Sequence, residues 1–194
     1  MNIILASSSI YRRRLLERLC LEFRCIPPDV DETPIQGESP AELSVRLARL
    51  KARSVAQRYP QALVIGSDQV AAIEGRILCK PGNLKKATEQ LKLASGREVH
   101  FFTAIAVSCA QRQEEQFHVE PFTARFRSLS DQQIANYLHL DEPFDCAGSF
   151  KVERLGIALF DALIGNDPTS IEGLPLIKLT ELLLRAGVDI LGRK

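Results

Sequence analysis

The sequence predicts an α/β or α+β sheet protein, and three observations carry that prediction. Apolar segments of strand length alternate with segments of helical periodicity, the pattern of a sheet layered with helices. Two of the helical segments open on paired capping signals, Ser39 with Glu42 and Ser130 with Gln133. The chain has 194 residues, 45% of them apolar and 25% charged, enough to bury a full core without the signature of disorder. No repeat, low-complexity stretch or long linker interrupts it, so residues 1–194 are expected to form a single domain.

The elements follow in order. Residues 2–6 (NIILA) read as a short buried strand feeding a helix near residues 10–20, where Leu15, Leu16 and Leu19 recur at helical spacing. Residues 22–26 suit a second strand, followed by the Pro- and acid-rich loop PPDVDETPIQGE. Ser39 as N-cap, Pro40 in the first position and Glu42 in the third start a helix that runs to about Arg58. Residues 62–66 (ALVIG) form an apolar strand ending at Ser67-Asp68, and 69–78 a hairpin turning at Glu74-Gly75. A helix near 84–94 carries Leu84, Ala87, Leu91 and Ala94 on one face. Two long strands, 98–109 and 116–127, flank the polar turn QRQEE; a helix then runs from Ser130 to about His139. The closing helix follows Gly173-Leu174-Pro175 and stops at Gly187.

Charge and composition exclude several classes. The formal net charge of +1 gives no basic stripe, so no nucleic-acid partner is expected. The apolar run in MNIILASSSIYRRR is too short for a secretory signal, and its arginines follow rather than precede it. No segment approaches the roughly 20 apolar residues that span a bilayer, so no membrane role is expected. The five cysteines contain no C-x-x-C pair, which suits reduced thiols in a cytoplasmic protein better than a disulfide frame or a zinc site. The three histidines are scattered, which disfavours a triad.

Chemistry concentrates at a few places. Arg12, Arg13 and Arg14 occupy the first turn of a helix, where they oppose the helix dipole. An anion bound there would reverse the sign, because backbone N–H groups, seryl hydroxyls and guanidinium forks all donate to phosphate; a solvated basic helix start fits the same string. Asp68, after an apolar strand, can hold Mg²⁺ or take a proton from an attacking water, or simply end the strand in a turn. Lys51 falls inside the apolar arc of its helix with Leu43, Leu47 and Val55. A lysine there needs an anionic partner or must snorkel outwards. The loop acids Asp29, Asp31 and Glu32 could supply metal ligands or be solvated, and Lys80 could offer an ammonium to phosphate from an exposed turn. Donors, lysines and carboxylates without a Cys or His nucleophile suit metal-assisted phosphoanhydride hydrolysis. The absence of G-x-x-x-x-G-K-[ST] excludes a P-loop enzyme.

The strings LASSSIYRRRLL, DVDET, RLARLKA, VIGSDQV, CKP, CAGSF and GLPL occur in the order found in the Maf family of nucleotide pyrophosphatases. The resemblance spans Leu5 to Leu176. It implies a mixed α/β structure with an elongated central sheet flanked by helices and two lobes around a cleft, usually in a homodimer. It also implies cleavage of a nucleoside triphosphate between the α- and β-phosphates, with a divalent cation (Mg²⁺, Mn²⁺ or Co²⁺). Asp68 matches the family's proton acceptor. Ser7, Ser9, Arg12, Arg13, Lys51 and Lys80 match phosphate-binding positions, and Glu32 an acidic position linked, with Asp68, to the metal.

Three positions divide the family by base. The branch acting on dTTP and UTP has Arg, Thr and Gln where this chain has Tyr11, Gln69 and Glu153. The branch acting on 7-methyl-GTP has an aromatic residue, Gln and Glu, and this chain resembles it. The 7-methylguanine ring is cationic, so an aromatic face at Tyr11 suits it. Glu153 could accept from guanine N1–H and the 2-amino group. Ile10 stands where Pro is usual, Tyr11 where Trp is common in this branch, and Cys79 where a small residue is usual. The alternatives are a dTTP/UTP or broad-specificity pyrophosphatase and, in another class, a regulatory protein of septum formation that works by binding.

Overall fold

A computed structural model describes residues 2–192. The strands are β1 (Ile3–Ala6), β2 (Phe23–Cys25), β3 (Leu63–Ile73), β4 (Arg76–Leu78), β5 (Glu98–Cys109), β6 (Glu114–Phe126) and β7 (Phe160–Gly165). The helices are α1 (Ile10–Glu17), α2 (Pro40–Arg58), α3 (Leu84–Ala94), α4 (Asp131–Asp141) and α5 (Leu176–Arg185), with a 3-10 turn at Leu155–Leu159. Strand order is β2-β1-β3-β5-β6-β7, with β4 paired to β3. β1 pairs parallel with β2 and β3, while β3–β4 and β6–β7 are antiparallel, so the sheet is mixed.

The chain divides into two compact units. The first holds the residues up to Asp68, Thr103–Glu120 and those from Asp167 on; the second holds Gln69–Phe102 and Pro121–Asn166. In the first unit the period-2 alternation of strands sorts side chains onto two faces. Ile3, Leu5, Leu63, Ile65, Ile105 and Val107 pack with Leu15 and Leu16 of α1 and Leu179, Leu182 and Leu183 of α5. Ile4, Ala6, Val64, Ala104 and Ala106 pack with Ala48, Ala52, Val55 and Ala56 of α2. Both faces are covered, which is why these strands read as continuous apolar runs. In the second unit, Phe150 makes edge-to-face contacts with Phe101, Phe126 and Phe160 at centroid distances of 5.4, 5.9 and 4.9 Å.

Most expected boundaries hold. Both capping boxes form, at Ser39–Glu42 and Ser130–Gln133. The hairpin turns at Glu74-Gly75, where φ of 48° and 79° gives the left-handed pair that a two-residue turn requires. α1 is shorter than expected, ending at Glu17 before Cys20 adopts φ 53°. Leu84 is 55% exposed rather than part of the buried face of α3. The largest difference is β3. It does not stop at Ser67-Asp68 but runs unbroken to Ile73, so Asp68 is a mid-strand residue. The polar pair is tolerated because β1 ends at Ala6, opposite Gly66, which leaves Ser67 and Asp68 just past its end.

Gly66 sets how closely α2 can approach the sheet. A Cβ there would lie 2.3 Å from the Ala48 carbonyl oxygen and 2.6 Å from the Ala52 amide nitrogen. Both obstacles are helix backbone and cannot rotate away. Gly66→Ala is therefore expected to cost about 1–3 kcal/mol or more by overpacking. Thermal unfolding would register it as a lowered Tm, and a Tm equal to wild type would show that α2 can shift without cost.

Candidate active site

Lys51 lies on α2 between Leu47 and Val55, a position the helix turns inward. Its side chain is 7% exposed, and its ammonium meets two carboxylates. Nζ donates to Asp68 Oδ1 at 2.6 Å and contacts Glu32 Oε1 at 2.9 Å. Of the two outcomes open to a lysine in this arc, an anionic partner or an outward turn, the structure shows the first, supplied twice from within the chain. Asp68 itself is buried, whereas the Glu32 side chain is 58% exposed at the surface of the loop before α2. The neighbouring Asp31 does not join them. Its Oδ1 accepts from the Thr33 amide at 2.9 Å and the Thr33 hydroxyl at 2.6 Å, bonds that hold its carboxyl below the usual carboxylate range.

The β1–α1 junction is built from serines. Ser9 caps α1, its hydroxyl accepting from the Arg12 amide, while the buried Ser7 hydroxyl accepts from the Ser9 amide at 3.1 Å. In both bonds the oxygen accepts, which leaves each O–H able to donate to an anion. Arg12 turns inward, and its Nε donates to the Gly173 carbonyl at 2.9 Å. Burial pushes its guanidinium pKa down, and the charges of Asp68 and Glu32 oppose that shift. The same carbonyl accepts from the buried Ser67 hydroxyl at 3.0 Å, so one peptide oxygen orients both donors. Arg13, by contrast, is exposed and pairs with Glu17 at 2.9 Å, one helical turn on. It does not turn inward with Arg12.

Gly173 owes its position to a knot that sequence reasoning missed. Asp167 is buried; its Oδ1 accepts from the Thr169 amide and hydroxyl at 2.9 and 2.7 Å, and its Oδ2 accepts from the Ile177 amide at 2.7 Å. The Thr169 hydroxyl also accepts from the Leu176 amide at 2.8 Å. Together these cap α5, which has no capping side chain adjacent to its first turn. The signal available in sequence is Asp followed two residues on by Thr, a turn motif, in a segment that otherwise reads only as a helix boundary.

The second unit carries the remaining candidates. Gln69 directly follows Asp68 on β3 and is half-buried. Lys80 is exposed in the segment between β4 and α3, and Glu153 is exposed ahead of the 3-10 turn. Tyr11, in the first unit, is half-buried on the first turn of α1. The structure thus brings Glu32, Lys51 and Asp68 into direct contact and sets Ser7, Ser9 and Arg12 at one strand–helix junction.

Among the described residues no group of three or more His, Cys, Asp or Glu side chains could hold a metal by itself. The carboxylates of Asp68 and Glu32, gathered on one ammonium, nevertheless suit a hard cation that keeps several waters and takes its other ligands from substrate phosphates. The donor set fits Mg²⁺ or Mn²⁺ arriving with a triphosphate. It does not fit an all-protein cage.

Comparison with known proteins gives the family and the fold. A protein of Nitrosococcus oceani, 7-methyl-GTP pyrophosphatase, is 51% identical over 190 residues, covering 98% of this chain and 96% of its own. Proteins of the same description from Pseudoalteromonas atlantica and Colwellia psychrerythraea are 50% and 47% identical, covering 98% and 100% of this chain and 97% and 96% of their own. Among solved structures, a HAM1 protein from Coxiella burnetii aligns with a TM-score of 0.55 at 17% identity, covering 95% of this chain and 99% of that one. The Staphylococcus aureus Ham1 protein aligns with a TM-score of 0.54 at 15% identity, covering 97% of this chain and all of that one. These two share the fold. The model of the Maf-like protein family matches residues 2–186, so with its buried Lys51–Asp68 pair and its seryl-arginine helix start this chain belongs to the Maf family.

Proposed function

We propose that this protein hydrolyses 7-methyl-GTP to 7-methyl-GMP and pyrophosphate, with Asp68 as proton acceptor and a divalent cation (Mg²⁺, Mn²⁺ or Co²⁺) held by Asp68 and Glu32. The observation that carries the reading is the contact of Lys51 with both carboxylates, 2.6 Å to Asp68 and 2.9 Å to Glu32. A buried ammonium shared by two carboxylates is costly as pure architecture and useful where charge must be rearranged. Curated relatives of about half identity carry the name of this activity. The proposal treats residues 1–194 as one working domain and extends to a homodimer in the cytoplasm. Five free thiols support that location; no helix among the described residues is long and apolar enough to cross a membrane.

In this mechanism water attacks the α-phosphorus, the bond from it to the bridging oxygen breaks, and pyrophosphate leaves. Asp68 takes the proton of the water. Lys51, fixed by Asp68 and Glu32, offsets the charge that builds on the phosphoryl oxygens, and the cation when bound polarises them further. Ser7 and Ser9 donate their O–H groups to the phosphates at the N-terminus of α1, where the backbone also favours an anion. Arg12, oriented by the Gly173 carbonyl, presents its fork to the same chain. Arg13 reaches phosphate only by releasing Glu17, an exposed pair worth at most about 1 kcal/mol. Lys80 supplies an ammonium to the triphosphate. Tyr11 stacks on the cationic 7-methylguanine ring, and Gln69 and Glu153 read its edge.

The test is pyrophosphate release from 7-methyl-GTP, GTP, dTTP, UTP, CTP and ATP with Mg²⁺ or Mn²⁺. Preference for 7-methyl-GTP is expected. Preference for dTTP or UTP would keep the reaction and overturn the base assignment. No release from any of them, by folded protein with metal, would favour a binding role in division control. Glu153→Gln is expected to lower the preference for 7-methyl-GTP over dTTP, UTP, CTP and ATP about 10-fold, the worth of one hydrogen bond to a charged group, with GTP, which has the same N1–H and 2-amino edge, weakened alongside it. An unaltered ranking of bases would remove Glu153 from recognition.

A further inference from the structure

The CAGSF segment, Cys146–Phe150, matches a family string but takes no part in the mechanism above. Its geometry is unusual for a loop. Ser149 is fully buried and has φ of 61°, a left-handed backbone that a non-glycine residue adopts only when its surroundings impose it. Two neighbours impose it here. Phe150 is locked among Phe101, Phe126 and Phe160, and Gly148, with φ of 78°, lets the chain pass where a Cβ would sit 3.1 Å from the Phe150 ring and 3.2 Å from Phe101. Strain held by this much packing calls for a reason.

The reason lies in where the Ser149 side chain points. Its hydroxyl donates to Gln90 Oε1 at 2.6 Å, and Gln90 Nε2 donates to the Cys79 carbonyl at 2.7 Å. Cys79 is the residue before Lys80. Three residues after Cys79, the Gly82 amide donates to the Phe144 carbonyl at 2.9 Å, so the short segment that carries Lys80 is fastened on both sides. Gln90 stands on α3, whose Ala87, Leu91 and Ala94 are buried and keep the helix from moving.

We infer that Gln90 and Ser149 are positioning residues that hold the backbone under Lys80, so that the ammonium it offers to phosphate stands on a fixed turn rather than a free one. This rests on the phosphate-binding reading of Lys80. An exposed lysine on a free turn spreads its charge over many rotamers. With its own backbone fixed at Cys79 and Gly82, it loses less entropy on meeting phosphate. Ser149 uses its hydroxyl hydrogen and Gln90 uses both ends of its amide, so neither role passes to a residue lacking donor or acceptor. The relay also gives the CAGSF and CKP strings a common purpose.

The test is a double-mutant cycle on the full chain, measuring kcat/KM for 7-methyl-GTP in Lys80→Met, Gln90→Met and the double variant. A second cycle uses Ser149→Gly, which removes the hydroxyl while accepting the positive φ. Lys80→Met is expected to lower kcat/KM by about 100-fold or more. Gln90→Met and Ser149→Gly are each expected to lower it by about 10-fold alone and by less than about 2-fold in the Lys80→Met background. Losses that multiply, or relay variants equal to wild type while Lys80→Met is impaired, would overturn the relay and leave Lys80 in place. Wild-type rates in Lys80→Met would overturn the reading of Lys80 itself, and the relay with it. If Gln90→Met does not fold, the Ser149→Gly cycle decides by the same criteria.

Discussion

Asp68→Asn is expected to lower kcat for nucleoside triphosphate hydrolysis by about 10²–10⁴-fold, the range a positioned general base contributes. The substitution is nearly isosteric. The amide that replaces the carboxylate still offers a carbonyl oxygen to Lys51 Nζ, which lies 2.6 Å from Asp68 Oδ1 in the native site. The shape of the site and the packing of α2 on β3 therefore persist. What disappears is the ability to take a proton and one negative charge near the phosphates. KM for the triphosphate should rise to the extent that Asp68 helps hold the cation shared with the substrate phosphates. The measurement is steady-state pyrophosphate release with Tm recorded beside it. A variant with the wild-type rate would remove Asp68 from the chemistry. If excess Mn²⁺ restored most of the rate, the residue would act chiefly as a metal ligand rather than as the base.

Lys51→Met should damage both stability and activity, and the two losses can be separated. The lysine and Asp68 side chains are only 7% and 10% exposed, so deleting the ammonium strands a carboxylate in the interior. Breaking a buried pair from one side costs about 3–5 kcal/mol, although well-packed apolar replacement of both members is often neutral. The double variant Lys51→Met, Asp68→Asn is therefore expected to recover most of the lost stability while staying inactive. Glu32 adds little to this account because its side chain remains 58% exposed and is screened by water. Denaturant unfolding of the single and double variants checks the argument. Equal stability of Lys51→Met and wild type would mean that the pair is maintained for function at no net stabilisation. A double variant as unstable as the single one would mean that the methionine packs badly in its own right.

How much of this is legible in the sequence differs by residue. Lys51 stands out because a charge four residues after Leu47 on an apolar arc violates the helical pattern, and such violations point to function. The capping boxes at Ser39 and Ser130 and the turn at Glu74-Gly75 are legible because caps and tight turns depend on residues three or fewer positions apart. The seven family strings identify the reaction class that the relatives share. Other features are hidden. Arg12 and Arg13 are adjacent identical residues in one string, yet one binds the Gly173 carbonyl and the other Glu17. A helix rotates successive side chains by about 100°, and only the packing of α1 decides which of the two faces inward. The continuation of β3 through Asp68 is equally invisible, since an apolar run broken by Ser-Asp looks like a strand end whenever the partner strands are unknown. The Asp167–Thr169 knot and the Ser149–Gln90–Cys79 relay join groups through hydrogen bonds that carry no periodic trace.

The amino-acid sequence alone determined the class of element at nearly every position, the family, and the list of groups capable of the chemistry, because propensity, capping and apolar periodicity act over a few neighbouring residues. The tertiary structure decided which of those groups meet. Lys51 reaches Asp68 and Glu32 only because Gly66 admits the backbone of α2 against β3, and Arg12 is held only because a loop far along the chain, at Gly173, offers its carbonyl. Such encounters depend on close packing of distant segments, and close packing is a property of the assembled core that no local stretch of sequence contains.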